Sequence, residues 1–110
     1  MTFKLDKSPP PIRVGPHDIR FAWLEGEEAR RHLGSFNHTD HVIRLLKEYN
    51  SGSMAVDTIL HEILHAIFAV ATVEVKQGEE HIVSVLGTFL TQVVRDNPEF
   101  MKWIQITVAK

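Results

Sequence analysis

The stretch DTILHEILHAIF, residues 57–68, places two histidines four positions apart around a glutamate within an apolar repeat. The repeat has the three- and four-residue spacing of a core-facing helix and predicts a helix over about residues 53 to 73. At about 100° per residue, His61 and His65 lie one turn apart on the same side of that helix, so both imidazoles can reach one ion. Glu62 points about 100° away, which lets its carboxylate contact a water molecule beside that ion.

Three ionisable side chains on such a helix need a shared partner, because burying each one unpaired costs several kcal/mol. The chain has no cysteine, which excludes disulfides and thiolate ligands and leaves His, Asp and Glu as possible metal ligands. Zinc takes these ligands in tetrahedral geometry, and a catalytic site leaves one of its four positions to water. The pattern therefore predicts a Zn²⁺ site with a third protein ligand. The competing interpretation is a pair of satisfied core histidines.

Length and composition favour one domain and exclude several classes of partner. A chain of 110 residues with 44% hydrophobic content has room for one core. The formal charge of −2 shows no basic excess, so we expect no nucleic-acid partner. The N-terminus has no signal-peptide pattern and no apolar run is long enough to cross a bilayer, so we expect a cytoplasmic protein without a membrane partner. The SPPP run predicts an extended arm over residues 1–11, followed by one domain over residues 12–110.

Periodicity along the rest of the chain predicts an α+β fold. Alternating apolar residues predict a strand at about 18 to 24, and the segments SFNH and HVIRLL predict two more, which we expect to form a small antiparallel sheet of about three strands. A second helix is predicted from near Glu79 to about Arg95. Asn97 and Pro98 form an N-cap and first-turn pair for a short last helix. Strands followed by helices are typical of helices packed on one face of a sheet.

With HEILH on one helix and EEHIVSVLGTF opening the next, the chain resembles the zincin metallopeptidases, and within them the gluzincins. The resemblance covers roughly residues 55 to 90. The size of the whole chain is similar to that of the minimal gluzincins, very small zincin domains common in phages and bacteria. It implies a zincin-like fold whose second helix also carries a metal ligand. The implied site consists of the metal ligands His61, His65 and Glu80 and the catalytic base Glu62.

The third ligand has three candidates in a row. Glu80 is preferred because, as in the glutamate helix of thermolysin-type enzymes, a polar residue follows it by four positions and Gly87 by seven, where a glycine lets the two helices approach closely. Glu79 is the second choice, since it shares a helix face with core-type residues. His81 would give an all-histidine site, as in other zincin branches.

Two functions compete. The first is a zinc-dependent peptidase in which Glu62 acts as general base and an edge strand near residues 34 to 38 holds an extended peptide or protein substrate. The second is a zinc-binding interaction or assembly protein with little or no proteolytic activity, in which the apolar C-terminal segment, residues 103–108, contacts a partner or a second copy. Larger gluzincins add a domain that supplies an oxyanion donor, and here the candidates for that role are His38, His41, Tyr49 and His81.

Overall fold

The computed structural model describes residues 2–72 and 78–110, except for the side chains of Glu79 and Val83. The described residues form six short strands and four helices. The α+β class predicted from the sequence is confirmed. In chain order the elements are β1 (Phe3–Lys4), β2 (Ile12–Val14), β3 (His17–Trp23), α1 (Gly26–Arg31), β4 (Gly34–Asn37), β5 (Val42–Leu45), β6 (Glu48–Tyr49), α2 (Gly52–Ala71), α3 (Glu79–Asp96) and α4 (Pro98–Val108).

The main sheet has four strands in the order β2-β3-β5-β4 and is mixed. Its central pair, β3 and β5, is parallel, with Phe21 opposite Ile43, while β2 and β4 run antiparallel to their neighbours. The prediction of a small antiparallel sheet of about three strands is therefore wrong. The reason is the route of the chain: α1 turns it after β3, β4 passes along the outer edge, and the β4–β5 connection returns β5 between β4 and β3.

The first helix, α1, lies in a polar segment for which the sequence patterns predicted neither a helix nor a strand. Glu27 lies 3.8 Å from the guanidinium groups of Arg30 and Arg31, and no residue of α1 is buried. Such exposed ion pairs contribute less than about 1 kcal/mol each. The helix therefore serves mainly as the turn that lets β4 reach the sheet edge.

The N-terminal residues are attached to the domain by a second, two-stranded sheet. β1 pairs antiparallel with β6, where Phe3 lies opposite Tyr49. The backbone N–H of Leu5 donates to the carbonyl of Lys47 at 2.8 Å, and the Leu5 side chain belongs to the core. Burial of the Leu5 side chain contributes to the hydrophobic stabilisation of the domain.

The core forms between α2 and the main sheet. The long repeat read from the sequence predicted this helix, and its observed bounds agree with the prediction within two residues. Polar residues interrupt every apolar run of α2, but by length and mean hydropathy the helix is able to span a bilayer, a property that it shares with core helices of water-soluble proteins. Here its apolar face packs on the sheet. The nearly inaccessible side chains at this contact are Ile19, Ile43, Leu45, Ile59, Ile63 and Ile67.

Two side-chain amides, that of Gln92 in α3 and that of Asn97 just before α4, form hydrogen bonds with the backbone at the edge strand β2. The backbone N–H of Arg13 donates to Asn97 Oδ1 at 2.8 Å, and Asn97 Nδ2 donates back to the Arg13 carbonyl at 3.1 Å. Gln92 Nε2 also donates to that carbonyl, and Gly15 N–H donates to Gln92 Oε1 at 2.9 Å. Asn97 does precede α4, but its side chain caps no helix N–H. It replaces a missing strand neighbour for β2, because edge N–H and C=O groups need partners.

Candidate functional site

The two histidines of the HExxH pattern converge on the solvent-facing side of α2. Their Nε2 atoms are 3.2 Å apart, with ring planes at 75°. Two imidazole nitrogens that bind one tetrahedral zinc at about 2.0–2.1 Å are separated by about 3.3 Å. The spacing of His61 and His65 therefore fits shared coordination of one ion. It also fits a hydrogen bond between two neutral imidazoles, one donating N–H and the other accepting.

Glu62 lies beside this pair and is shielded by the sheet edge. The residue is 7% exposed, and a Cβ placed on Gly34 of β4 would lie 3.3 Å from Glu62 Cγ. Glu62 and His61 line one cleft of about 300 Å³, to which Asp57 also contributes. The carboxylate is thus presented to the same space as one of the predicted metal ligands, which is the arrangement that a general base next to a metal requires.

The structure does not bring Glu80 to the histidine pair. Among the side chains that the structure describes, which do not include that of Glu79, no group of three His, Asp or Glu is placed to hold a metal ion. Glu80 is exposed and lies nine residues before the half-buried Phe89, about 180° around α3. His81 is exposed as well, and the side chain of Glu79 lies outside the described part of the chain. All three remain predictions for the third ligand.

Gly87 does not have the role that the resemblance implied. A Cβ added to it would meet no atom of the described residues within 4 Å, so the expectation that it allows two helices to approach closely is wrong. The reason is the rotation of α3, which turns Gly87 and Glu80 towards solvent and turns Phe89 and Val93 inwards.

Tyr49, one candidate oxyanion donor, is already engaged within the core. Its hydroxyl donates to the Leu33 carbonyl at 2.6 Å and accepts from the Leu46 N–H at 3.0 Å. Burial raises the pKa of Tyr49, and the charge of Glu62 adds to that rise, while the Leu46 N–H opposes it. The phenol therefore ties the segment before β4 to that after β5, and its proton is committed to a backbone carbonyl.

Two clefts lie along the same side of α2, one that includes His61 and one that follows His65. The first, of about 300 Å³, includes Thr58 and His61. The second, of about 470 Å³, includes Ala69 and Thr72. Ala69, four positions after His65, projects from the same side of the helix, so His65 lies between the two clefts.

The strand β4 runs beside α2 from the first cleft to the second, and we call the two clefts and the strand between them the groove. Gly34 lies against Thr58 and Glu62 at one end, and His38, the residue after β4, lines the second cleft at the other. β4 is the outer strand of the main sheet, so the predicted edge strand near residues 34 to 38 is confirmed in its position. Sequence patterns alone did not indicate that Gly34 lies next to Glu62, because that contact depends on how the sheet edge crosses α2.

Gly34→Ala tests how closely β4 and α2 must approach. The new methyl group would lie 2.8 Å from Thr58 Cγ2 and 3.3 Å from Glu62 Cγ. We expect a loss of about 1–3 kcal/mol in the free energy of unfolding, measured by urea denaturation. Adding Thr58→Ser removes the opposing methyl and should restore part of that loss.

Gly87→Ala is the matched control, since Gly87 lies within a helix and no atom of the described residues is within 4 Å of the added Cβ. It should raise stability by about 0.5–1 kcal/mol. Equal effects of the two glycine substitutions would contradict close packing at Gly34.

Comparison of the chain with protein-family models, with curated proteins and with solved structures gives no match. What the described residues offer is a pair of converging imidazoles, His61 and His65, a shielded carboxylate, Glu62, and a groove along an edge strand. Together they form a candidate site for metal-assisted chemistry on an extended chain.

Proposed function

We propose that this protein is a zinc-dependent peptidase of the gluzincin type, in which His61 and His65 bind the metal and Glu62 is the general base. The observation that carries the proposal is the 3.2 Å approach of the two Nε2 atoms next to a largely buried glutamate. Satisfied core histidines would be shielded from solvent, whereas both of these are exposed.

The chain's own residues account for substrate binding and proton transfer. When bound, zinc would supply Lewis acidity towards a water molecule and the scissile carbonyl. Glu62 takes the proton of the attacking water and returns it to the leaving amine. β4 offers backbone N–H and C=O groups at the sheet edge, which hold an extended peptide by strand addition while its side chains enter the two clefts.

Glu80 is the proposed third ligand, with Glu79 and His81 as its alternatives. A glutamate ligand would complete a two-histidine, one-carboxylate set, which is an established set for catalytic zinc. The exposed position of Glu80 on α3 makes a direct comparison of the three residues necessary.

The first experiment measures metal bound to the protein after purification without added zinc or an affinity tag. We expect one equivalent of zinc in the wild type, loss of it in His61→Ala, and loss in one of Glu80→Ala, Glu79→Ala and His81→Ala. His17→Ala is the control, because His17 is an exposed histidine that lines the second cleft and lies outside the proposed ligand set.

Each result of that experiment has a defined meaning. Zinc lost with Glu79→Ala or His81→Ala, and kept with Glu80→Ala, would reassign the third ligand and leave the reaction unchanged. A folded wild type that binds no zinc, judged by circular dichroism, would overturn the proposal.

The second candidate function, a zinc-binding interaction or assembly protein, is favoured by one observation on α4. Ile106 and Val108 are 56% and 43% exposed, whereas Trp103 and Ile104 pack against the core. A partner or a second copy that covered these two side chains would gain hydrophobic stabilisation. Ile106→Asp should then abolish the association seen by light scattering and leave zinc content unchanged. A monomeric wild type that hydrolyses peptides would rule this function out.

A further inference from the structure

The second cleft of the groove is lined by three histidines from separate parts of the chain. His17 opens β3, whereas His38 and His41 come from the connection between β4 and β5. Phe68 and Thr72, at the end of α2, complete its wall. None of these histidines belongs to the HExxH pattern, and no sequence pattern predicted that His17 lies near His38 and His41.

Two of the imidazoles are held in a defined arrangement. The ring centroids of His17 and His41 are 4.6 Å apart with the planes at 72°, and Phe36 stacks on His41 at 6.5 Å. His41 has a φ of 55°, in the left-handed region that non-glycine residues seldom adopt. Its N–H donates to the Asn37 carbonyl at 2.9 Å, and its own carbonyl accepts from Arg20. The surrounding backbone thus maintains an unfavourable conformation that projects the ring towards the cleft.

The ionisable side chains that line the cleft, among the described residues, are these three histidines. The nearby carboxylate of Asp40 is turned to Arg44, whose Nη2 donates at 2.9 Å, and to the Val42 N–H at 3.1 Å. The bond from Arg44 holds the pKa of Asp40 below its usual range. Imidazoles carry an N–H donor in either protonation state, so the cleft presents donors without a lining carboxylate to repel an anion.

The cleft also has a fixed place along the groove. Ala69 follows His65 by four residues, about 6 Å along the helix axis and on the same side. β4 ends at Asn37, directly before His38. A peptide laid along β4 and over His65 would advance about 7 Å for every two residues and so reach the cleft within a few residues.

We propose that the cleft formed by His17, His38 and His41 is a subsite that binds a carboxylate of the extended peptide substrate. This inference rests on the proposed peptidase function. The carboxylate has two possible sources. A peptide antiparallel to β4 would place an acidic side chain of its N-terminal half there, whereas a parallel one would deliver its C-terminal carboxylate. In both cases imidazole N–H groups donate to carboxylate oxygens, with a gain in affinity over an uncharged peptide.

The test is a binding measurement on the zinc-loaded full chain carrying Glu62→Gln, which does not hydrolyse the probe. Three six-residue alanine–valine peptides serve as probes: one with an N-terminal-half Glu and an amidated C-terminus, one with Gln and a free C-terminus, and one with Gln and an amide. Affinities are measured by calorimetry at one pH and salt concentration. We expect one of the two charged peptides to bind at least fivefold more tightly than the neutral one, and the identity of that peptide reports the source of the carboxylate.

Substitutions in the cleft assign the effect to it. His17→Ala and His38→Ala should each reduce the preference for the charged peptide to less than twofold, with zinc content unchanged. Lys102→Ala, which removes an exposed positive charge outside both clefts, should keep the full preference.

Three outcomes would overturn the inference: equal affinity for all peptides, a preference that survives His17→Ala and His38→Ala, or a second zinc equivalent that disappears with those substitutions. Zinc content of the same samples separates this inference from the proposed function. Loss of the carboxylate preference with zinc retained at His61 and His65 refutes only the subsite. Absence of zinc from that pair refutes the peptidase.

Discussion

Glu62→Gln is expected to keep one equivalent of zinc and to lower kcat for peptide hydrolysis by about 10²–10⁴-fold, the usual contribution of a general base. Glutamine has nearly the same shape, so the contact of this side chain with β4 at Gly34 is preserved. It cannot accept the proton of the attacking water. The measurement combines zinc content with turnover of a peptide that the wild type has been shown to cleave.

Asp57→Asn is the matched control for that experiment. Asp57 lines the same cleft, precedes His61 by one turn and is exposed. Asp57→Asn replaces a carboxylate by an amide, as Glu62→Gln does. We expect it to change kcat by less than about fivefold, because Asp57 is not the general base. If Glu62→Gln cleaved as fast as the wild type, the proposed mechanism would be wrong. If Glu62→Gln and Asp57→Asn lowered kcat equally, Glu62 would contribute only a negative charge to the cleft and would not be the general base.

Phe100→Ala should lower the free energy of unfolding by about 3–5 kcal/mol, the largest stability effect that we expect from one substitution. Phe100 is 1% exposed and lies between two aromatic rings, stacked on Phe21 at 5.9 Å and on Trp103 at 6.1 Å. Truncation would leave a cavity where α4 meets the sheet and would remove both ring contacts. Urea or guanidinium denaturation measures the change.

Ile106→Ala is the comparison, since Ile106 belongs to the same helix and is 56% exposed. Its effect should stay within about 0.5 kcal/mol in the monomer. A small effect of Phe100→Ala would mean that α4 is not part of the cooperative core. A large effect of Ile106→Ala that grows with protein concentration would favour an interface on this helix.

Local regularities were sufficient to predict the elements that carry the candidate site. The apolar repeat predicted α2, and the four-residue spacing predicted that His61 and His65 lie on the same side of that helix, where their Nε2 atoms are 3.2 Å apart. These directions follow from helical geometry within one element and do not depend on which element lies beside it.

The order of the strands depended on contacts between distant segments. Pairing each strand with the next predicted an antiparallel sheet, but α1 and the edge position of β4 make β3 and β5 parallel neighbours. Strand alternation sets which face of a strand is buried, and it contains no information about which strand lies beside it.

By itself, the sequence determined the α+β class, the helix that carries His61, Glu62 and His65, and the edge strand near residues 34 to 38. Tertiary structure alone decided three further features: the approach of Gly34 to Glu62, the rotation of α3 that turns Glu80 to solvent, and the meeting of His17 with His41. The physical reason is the same in each case. A helix or strand pattern defines directions relative to its own axis, whereas the rotation and placement of one element against another are set by how all side chains of the core pack together.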